Sequence, residues 1–316
     1  MIELLIQNKD DGKIFEMSEA ASSVSYSDSL NNGCGKLELK YLYDGVVFSN
    51  GSIVRFRYNG ADIFFGYVFK YERDNGTEVT ITAYDQLRYL KSKDTLAIKG
   101  IRLDQLVSKI AGMFKLELGT LDNTGYILPT SVQDNQTYLD MIYNSISRTL
   151  LGSGKKYSFY DRFGSLFLTD LQSLRLPLVI GDQSLAYGFK FEQSIDDNFY
   201  NQIKLVSDNE STGKRDVYIE RDSSSIDKYG LLQYYEAADK NENAEQLKAK
   251  AAGLLKLMNR ETKSLSLDAI GDTRVRSGNS ILVDVSGLGI KQYLIIDSCK
   301  HTFKQNNHTM SMELVL

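Results

Sequence analysis

The chain has 316 residues, a net charge of −4 and 42% apolar residues, as in an ordinary soluble globular protein. The charge excludes a global basic field for nucleic acid or an anionic membrane. No apolar run approaches the ~18 residues of a membrane-spanning helix. We therefore expect neither sequence-specific nucleic-acid binding nor membrane insertion.

The N-terminal part of the chain is predicted to be an antiparallel β-meander. Apolar and polar residues alternate over 2–6, 37–41, 54–58 and 78–83, which is the period of a strand with one buried face. Asn-Gly pairs between these runs are strong hairpin signals. Residues 1–92 are therefore assigned to a first β-barrel domain.

The period changes to that of a helix within residues 93–185. Apolar residues spaced three and four apart predict helices at 103–114 and 139–150, the second capped by Thr137 with Asp140. A hairpin is predicted behind them at 157–168. Helix, helix and hairpin form a small α+β module inserted into the β chain.

Strands return from residue 186 onward. The segment 207–228 is polar and predicts an exposed loop or hairpin, and 243–260 carries the clearest helical stripe of the chain. Three further strands are predicted between 275 and 316. Residues 186–316 are therefore assigned to a second β-barrel domain with a loop and helix insertion at about 207–261.

The two β regions share one pattern. Leu39 is as far from Val54 as Leu267 is from Leu282, and each copy continues with a Gly-initiated strand, a long strand and a final strand. A repeat of this kind indicates duplication. The predicted fold class is α+β, mainly β, with two similar antiparallel β-barrels interrupted by the helix–helix–hairpin module and the helical insertion.

The last long strand carries the residues closest to a chemical site. Alternation places six residues on one face of this strand, namely Tyr293, Ile295, Asp297, Cys299, His301 and Phe303. His308 is expected in the turn after Asn306 and Asn307. Neither histidine has metal-ligand spacing to a cysteine or carboxylate, and Cys34 lies far from Cys299. We expect structural histidines and two small, partly buried thiols.

Motifs that carry catalysis are not evident. The Gly152–Lys155 run lacks the outer glycine and the Ser or Thr of a phosphate loop. Asp10-Asp11 and Asp196-Asp197 are adjacent, so on a strand they would face opposite sides rather than one cleft. Arg55 and Arg57 project from one strand face, which is usually solvated. We predict no catalytic, cofactor-binding or metal-binding residues, no cofactor and no enzymatic activity.

Several motifs, in order and spacing along nearly the whole chain, resemble one family. They are Ile2–Ile6, Ala83–Leu90, Asp122–Tyr126, Tyr293–Ser298, His301–Phe303 and His308–Met310. The chain resembles the central baseplate hub proteins of contractile phage tails and phage-tail-like bacteriocins, in the Gram-positive prophage branch related to the spike hubs of contractile injection systems.

The resemblance implies a structural homotrimer in which two tube-type barrels per chain close into a pseudo-sixfold ring. Such a ring joins a hexameric tail tube protein to a trimeric central spike protein, beside other baseplate and tape-measure proteins. We expect synthesis in the bacterial cytoplasm, because no signal peptide precedes the first strand, and assembly into the particle's baseplate. Because the sequence stops after the last strand, no fused lysozyme or spike domain is expected. The alternative is a tail-associated cell-wall-degrading enzyme or glycan-binding module.

Overall fold

The computed structural model describes residues 1–196, 198–209, 214–237, 243–304 and 307–316. They form two compact units, one of Met1–Lys190 with Leu265–Leu316 and the other of Phe191–Ser264. The predicted boundaries after residues 92 and 185 remain a prediction.

The described residues form twenty-one strands and four α-helices. The strands are β1 (Ile2–Gln7), β2 (Ile14–Glu16), β3 (Ala21–Ser29), β4 (Lys36–Leu42), β5 (Ile53–Tyr58), β6 (Ala61–Arg73), β7 (Glu78–Tyr84), β8 (Lys93–Ile98), β9 (Leu118–Leu121), β10 (Ser131–Thr137), β11 (Tyr157–Arg162), β12 (Ser165–Asp170), β13 (Arg175–Gly181), β14 (Ala186–Ser194), β15 (Gln202–Asn209), β16 (Lys214–Arg221), β17 (Gln233–Ala237), β18 (Thr262–Ile270), β19 (Ser280–Val285), β20 (Ile290–Lys304) and β21 (Asn307–Val315). The helices are α1 (Leu103–Phe114), α2 (Tyr138–Ser153), α3 (Ser223–Tyr229) and α4 (Ala244–Met258). The mainly β, α+β class is confirmed.

One sheet of 13 strands carries both ends of the chain. Its path runs β14-β18-β21-β20-β3-β4-β7-β6-β5-β1-β2, and β19 joins β20 to β13 off this path. The first copy of the predicted repeat has the order β4-β7-β6-β5 and the second has β18-β21-β20-β19. The same order in both copies supports the duplication.

The repeat extends to individual hydrogen bonds. In the first copy the Gly51 amide donates to Val68 at 2.7 Å, and in the second the Gly278 amide donates to Ile296 at 2.8 Å. The two glycines have φ angles of 88° and 86°, a region that side chains other than glycine rarely adopt. Val68 and Ile296 are therefore equivalent positions, and both precede a register shift in their strand.

That register shift corrects the predicted face of the last long strand. A bulge between Ile296 and Ser298 breaks the alternation of β20, because an extra residue in one strand turns the following side chains to the other side. Leu294 and Ile296 are buried before it, and Cys299, His301 and Phe303 are buried after it. The exposed Tyr293 and Asp297 do not share their face.

The core of the first copy takes one residue from the second. Apolar side chains of β1, β3, β4, β5, β6 and β7 pack together, and the fully buried ring of Phe303 from β20 joins them. Its centroid lies 4.9 Å from that of Phe56 and 4.2 Å from that of His308. β20 therefore pairs with strands of both copies and contributes Phe303 to the core of the first copy.

The inserted module agrees with its prediction. Thr137 caps α2 by accepting a hydrogen bond from the Asp140 amide, and β11 and β12 form the hairpin behind it. The helices, the hairpin and Leu87 with Leu90 share a second core.

In the smaller unit the predicted hairpin within 207–228 is present as the antiparallel pair β15 and β16, although its residues 210–213 lie outside the described ranges. The last part of that segment is not a loop: it forms α3, because Asp222 caps a helix there by accepting the Ser224 and Ser225 amides. The predicted helix at 243–260 is α4, whose Leu247 and Ala251 pack on Ile203 and Leu205 of β15. Strand β3 is absent from the predicted strands, because serines and a buried Asp28 occupy it.

Replacing Phe303 with alanine is expected to lower the free energy of unfolding by about 3–5 kcal/mol, because it leaves a cavity in the core of the first copy. Urea unfolding at neutral pH measures this. Thr302→Ala, on the opposite face of β20, is the matched control and should change stability by less than about 0.5 kcal/mol. Equal effects would contradict the placement of Phe303.

Candidate functional site: a buried polar junction

Polar side chains from four separate segments meet inside the larger unit. Asp28 comes from β3, Asp85 with Gln86 from the turn after β7, and Asp161 from β11 of the module; all four are buried. Arg276 comes from the loop between β18 and β19. The junction therefore joins both repeat copies to the inserted module.

Arg276 is the cation of this junction. Its guanidinium lies 3.3 Å from the carboxylate of Asp28, donates to the Asp161 carbonyl at 3.4 Å and stacks 3.8 Å from the ring centroid of Tyr160. The second oxygen of Asp28 accepts the Ser277 amide at 3.1 Å. Buried charges of this kind are stable only when paired and hydrogen-bonded.

The other two carboxylates hold backbone in place. Asp85 accepts the amides of Gly35 at 2.7 Å and Leu87 at 3.0 Å. Asp161 accepts the Gly164 amide at 2.9 Å and the Gln86 side-chain amide at 3.3 Å.

Burial, together with the charge of Asp161, raises the pKa of Asp85, and burial raises the pKa of Asp161 to about 6. Raised carboxylate pKa values often mark catalytic acids. Here each oxygen of the two groups accepts an internal hydrogen bond, and these bonds position the backbone and the Gln86 side chain.

The two histidines form a buried pair beside this junction. Nε2 of His301 lies 2.9 Å from the Val275 carbonyl oxygen, and its Nδ1 lies 2.9 Å from Nε2 of His308. A carbonyl only accepts, so Nε2 of His301 carries the proton, its Nδ1 accepts, and His308 donates. Burial lowers the pKa of His301, and burial with the neighbouring His301 lowers that of His308 to about 4. Both imidazoles are neutral at pH 7.

A cavity of about 460 Å³ opens beside both clusters. Six of its lining residues are polar or aromatic groups of the junction and its neighbours, namely Tyr26, Tyr160, Asp161, Arg276, Asn279 and His301. No group of three or more His, Cys, Asp or Glu within the described ranges could hold a metal ion.

One face of the central sheet has a distinct composition. Residues on five neighbouring strands, β21, β20, β3, β4 and β7, are cross-strand partners on the side opposite the core. They are Thr309, Ser311, Glu313, Ser298, Lys300, Thr302, Lys304, Ser23, Ser25, Ser27, Ser29, Lys36, Glu38, Lys40, Thr80 and Thr82. We call this set the polar face. It offers hydroxyls, four lysines and two glutamates, and its cross-strand rows continue at one end through Tyr84 and the exposed Leu42.

Both histidines are buried, as expected for structural residues, but the predicted position of His308 is wrong. His301 is buried on β20 as a structural residue. His308 does not lie in a turn: it is part of β21 and pairs with Phe303, because its ring fills the space beside that phenylalanine. Asn306 lies outside the described residues.

The other candidate residues from the sequence have structural contacts. Gly154 ends α2 with a φ of 73°, so the Gly152–Lys155 run is a helix C-terminus. Arg55 and Arg57 stack on Phe65 and Phe163.

Asp10 accepts from Ser49 while Asp11 pairs with Lys13 at 3.1 Å, and Asp197 lies outside the described residues. Cys299 is buried, and burial raises the pKa of the half-buried Cys34 to about 11. That no residue is catalytic, cofactor-binding or metal-binding stays a prediction.

The junction itself was missed by sequence reasoning. Its acidic residues are scattered among β3, the Asp85-Gln86 turn and β11, and only Asp85 lies in a motif that the resemblance used. A signal was present: Asp28 occupies the inward position of a strand after Val24 and Tyr26, and a carboxylate at such a position requires a partner.

Comparison with known proteins identifies the family. Residues 24–315 match the family described as YQBQ-like. The chain belongs to this family. It is 32% identical to the YqbQ protein of Bacillus subtilis (strain 168) over 84% of this chain and 82% of that protein. It is 30% identical, with the same coverage, to the XkdQ protein of the phage-like element PBSX from the same organism.

Solved structures share the fold. The 43 kDa tail protein of prophage MuSo2 from Shewanella oneidensis superposes with a TM-score of 0.71 at 12% identity, covering 100% of this chain and 98% of that one. A tail protein from Neisseria meningitidis MC58 gives 0.66 at 14% identity, with 99% and 96% coverage. The fold of phage tail proteins, expected from the sequence, is confirmed. Among the described residues, none of the helices has the length and apolarity to cross a membrane.

Replacing Arg276 with methionine is expected to lower the free energy of unfolding by about 3–5 kcal/mol, because it leaves Asp28 as an unpaired buried charge. The double variant Arg276→Met with Asp28→Asn should recover part of this loss in denaturant unfolding. Arg274→Met is the control, because Arg274 is exposed and pairs with Asp272 on the same loop. No recovery in the double variant would contradict the pairing.

Acid is expected to destabilise the fold through the histidine pair. The unfolded histidines titrate near ~6.5 and folded His308 near about 4, so the unfolded state binds more protons between these values. The contribution is fully present above pH ~6.5 and is lost as pH falls through this window. Asp161 acts in the opposite direction, because its folded pKa is raised.

We expect His308→Phe to lose less stability than the parent between pH 7 and 4.5, by on the order of 1–2 kcal/mol. Urea unfolding across pH measures the two slopes, and the carboxylate contributions cancel in their difference. The chain has 2 histidines, and His301 is present in both proteins, so the difference between the slopes reports His308 and its contact with His301. Parallel slopes would show that the pair does not titrate as described.

Proposed function

We propose that the chain is a structural baseplate hub of a contractile tail, either a phage or a phage-tail-like particle. The observation that carries the proposal is the duplicated sheet unit, equivalent down to the Gly51 and Gly278 hydrogen bonds, in a chain with the fold of phage tail proteins. A chain with two similar units lets a trimer present six similar faces, and such a trimer can meet both a hexameric tube and a trimeric spike.

The composition of the polar face supports the proposal that this sheet surrounds a lumen. Its side chains are serines, threonines, four lysines and two glutamates. The ion pairs of Lys36 with Glu38 at 3.4 Å and of Lys40 with the neighbouring Glu78 at 2.8 Å offset part of the positive charge. A wall rich in hydroxyl side chains offers little apolar contact area, so it binds a passing protein weakly. In the proposed ring the polar face lines the lumen and the cores lie outside it.

The relatives' names support the assembly context. The XkdQ relative comes from a phage-like element, and two neighbours of the same fold come from P2 virion baseplates, with TM-scores of 0.50. Partners of the proposed hub are further copies of itself, the tail tube protein, the central spike protein and other baseplate and tape-measure proteins. The proposed place of the chain is the baseplate of the particle, after synthesis in the cytoplasm.

The proposed role is architectural rather than enzymatic. The buried carboxylates with raised pKa, Asp85 and Asp161, accept hydrogen bonds from the backbone and from Gln86, which is a structural use of both groups. This arrangement favours the hub over the alternative of a cell-wall-degrading enzyme.

The purified chain is expected to form a homotrimer in multi-angle light scattering at micromolar concentration, and negative-stain images should show a ring with six similar lobes. Mixed with the tail tube and spike proteins of its own prophage, it should form a complex with both. A chain that stays monomeric alone and with both partners, or that releases fragments from peptidoglycan, would contradict the proposed function.

A further inference from the structure

The junction between the two repeat copies within one chain defines an interface. Strand β3 of the first copy pairs antiparallel with residues 298–303 of β20 in the second copy, with Ser27 opposite Lys300. On β20 this site follows directly after the stretch that pairs with β19. The bulge at Asp297 lies between the two pairings, and the carbonyl of Asp297 accepts the Leu30 amide at 2.7 Å.

Strand β6 is the equivalent of β20 in the first copy. Val68 corresponds to Ile296 by its hydrogen bonds to the preceding glycine loop. Four residues further on, Glu72 therefore corresponds to Lys300. Like β20, β6 pairs with one strand, β5, up to Tyr67 and shifts register after Val68.

The last part of β6 lacks the neighbour that β20 has. Within the described residues, the stretch from Lys70 to Arg73 pairs only with β7, and no strand lies where β3 would correspond. Exposure agrees with this difference: Cys299 and His301 are buried next to β3, whereas the equivalent Tyr71 is half-buried and Arg73 is exposed.

Strand β14 is the equivalent of β3 in the second copy. β3 neighbours β4, and β14 neighbours β18, the counterpart of β4. β14 is also the terminal strand of the sheet path, and it exposes Tyr187 and Phe189 to 64% and 48%.

The other ends of the sheet are blunted. β2 has 3 residues, and β13 carries Pro177. Short strands and prolines are devices that prevent edge pairing. β14 has 9 residues without a proline. Among the sheet ends in the described part of the chain, it is therefore the one without such a device against pairing.

We infer that β14 of one copy of this chain pairs with the 70–73 stretch of β6 in the next copy, repeating between chains the β3–β20 pairing found within the chain. The inference rests on the proposed trimer and names its interface. Each chain has one β14 edge and one β6 edge, so the contact between neighbouring chains is head-to-tail. Such a contact closes into a ring when the rotation from one chain to the next is a whole fraction of a turn. Each copy then donates β14 once and receives it once, and the sheet continues from chain to chain.

Disulfide cross-linking tests the pairing. A Cys34→Ser background carries Glu72→Cys together with one cysteine at each position from 187 to 193 in turn, and mild oxidation is followed by non-reducing electrophoresis. Bands at two and three times the chain mass are expected, strongest at one position and at its neighbours two residues away, because alternate residues of a strand face the same side.

Three controls calibrate the experiment. Ser27→Cys with Lys300→Cys, the equivalent pair inside the chain, should oxidise without a change in mass. Glu72→Cys with Val179→Cys on β13 should give no higher band. A single cysteine in β14 should not link to itself, because the proposed contact is head-to-tail.

The outcomes separate the inference from the proposed function. A trimer in light scattering that gives no band for any β14 position, while the Ser27–Lys300 pair oxidises, would overturn the inference and leave the hub intact. A β14 cysteine that links to its own copy would also overturn it. A monomer throughout would overturn both.

Discussion

Backbone pairing along β20 is the interaction on which the larger unit depends. This one strand bonds to β19 and then to β3 along one edge, and to β21 along the other. The change of neighbour needs a local break in the pleat, and the bulge between Ile296 and Ser298 supplies it. Without that extra residue the side chains after it would face the wrong side, and Phe303 would miss the core of the first copy.

The same break explains why polar residues are buried where the two copies meet. Strand β3 has to approach β20 and the loop before β19, and it brings Asp28 opposite Cys299 into the interior. Arg276 neutralises that carboxylate, and the neutral histidine pair fills the space behind it without a charge. The ion pair therefore joins the two copies, and the imidazole hydrogen bonds hold the histidine pair beside it, through directional contacts. Apolar side chains could not provide such directionality.

Two opposite surfaces follow from this arrangement. The buried side of the sheet is occupied by aromatic and aliphatic side chains, and the polar face carries short hydroxyl side chains, lysines and glutamates. A duplicated sheet with one buried face and one solvent-exposed polar face is suited to the proposed ring, in which several copies surround a lumen. The inserted module is fixed to this wall through Asp161 and Gln86, so its position does not depend on apolar packing alone.

The sequence determined the parts of the protein that depend on local chemistry. Alternation predicted strands β1, β4, β5, β7 and β21, helical spacing predicted α1, α2 and α4, and the capping role of Thr137 followed from its position. The repeat was visible because both copies bury the same positions of a similar strand set, as Leu39 and Leu267 show.

Only the tertiary structure decided the face of β20 beyond its bulge, the placement of β3, and the meeting of Asp28, Asp85, Asp161 and Arg276. A bulge does not show in the alternation of a single strand, because it is defined by the pairing with the neighbouring strand. The buried carboxylate of Asp28 is stable because it pairs with Arg276, which lies far away in the sequence. Such features depend on which segments meet in space, and that is fixed by long-range pairing.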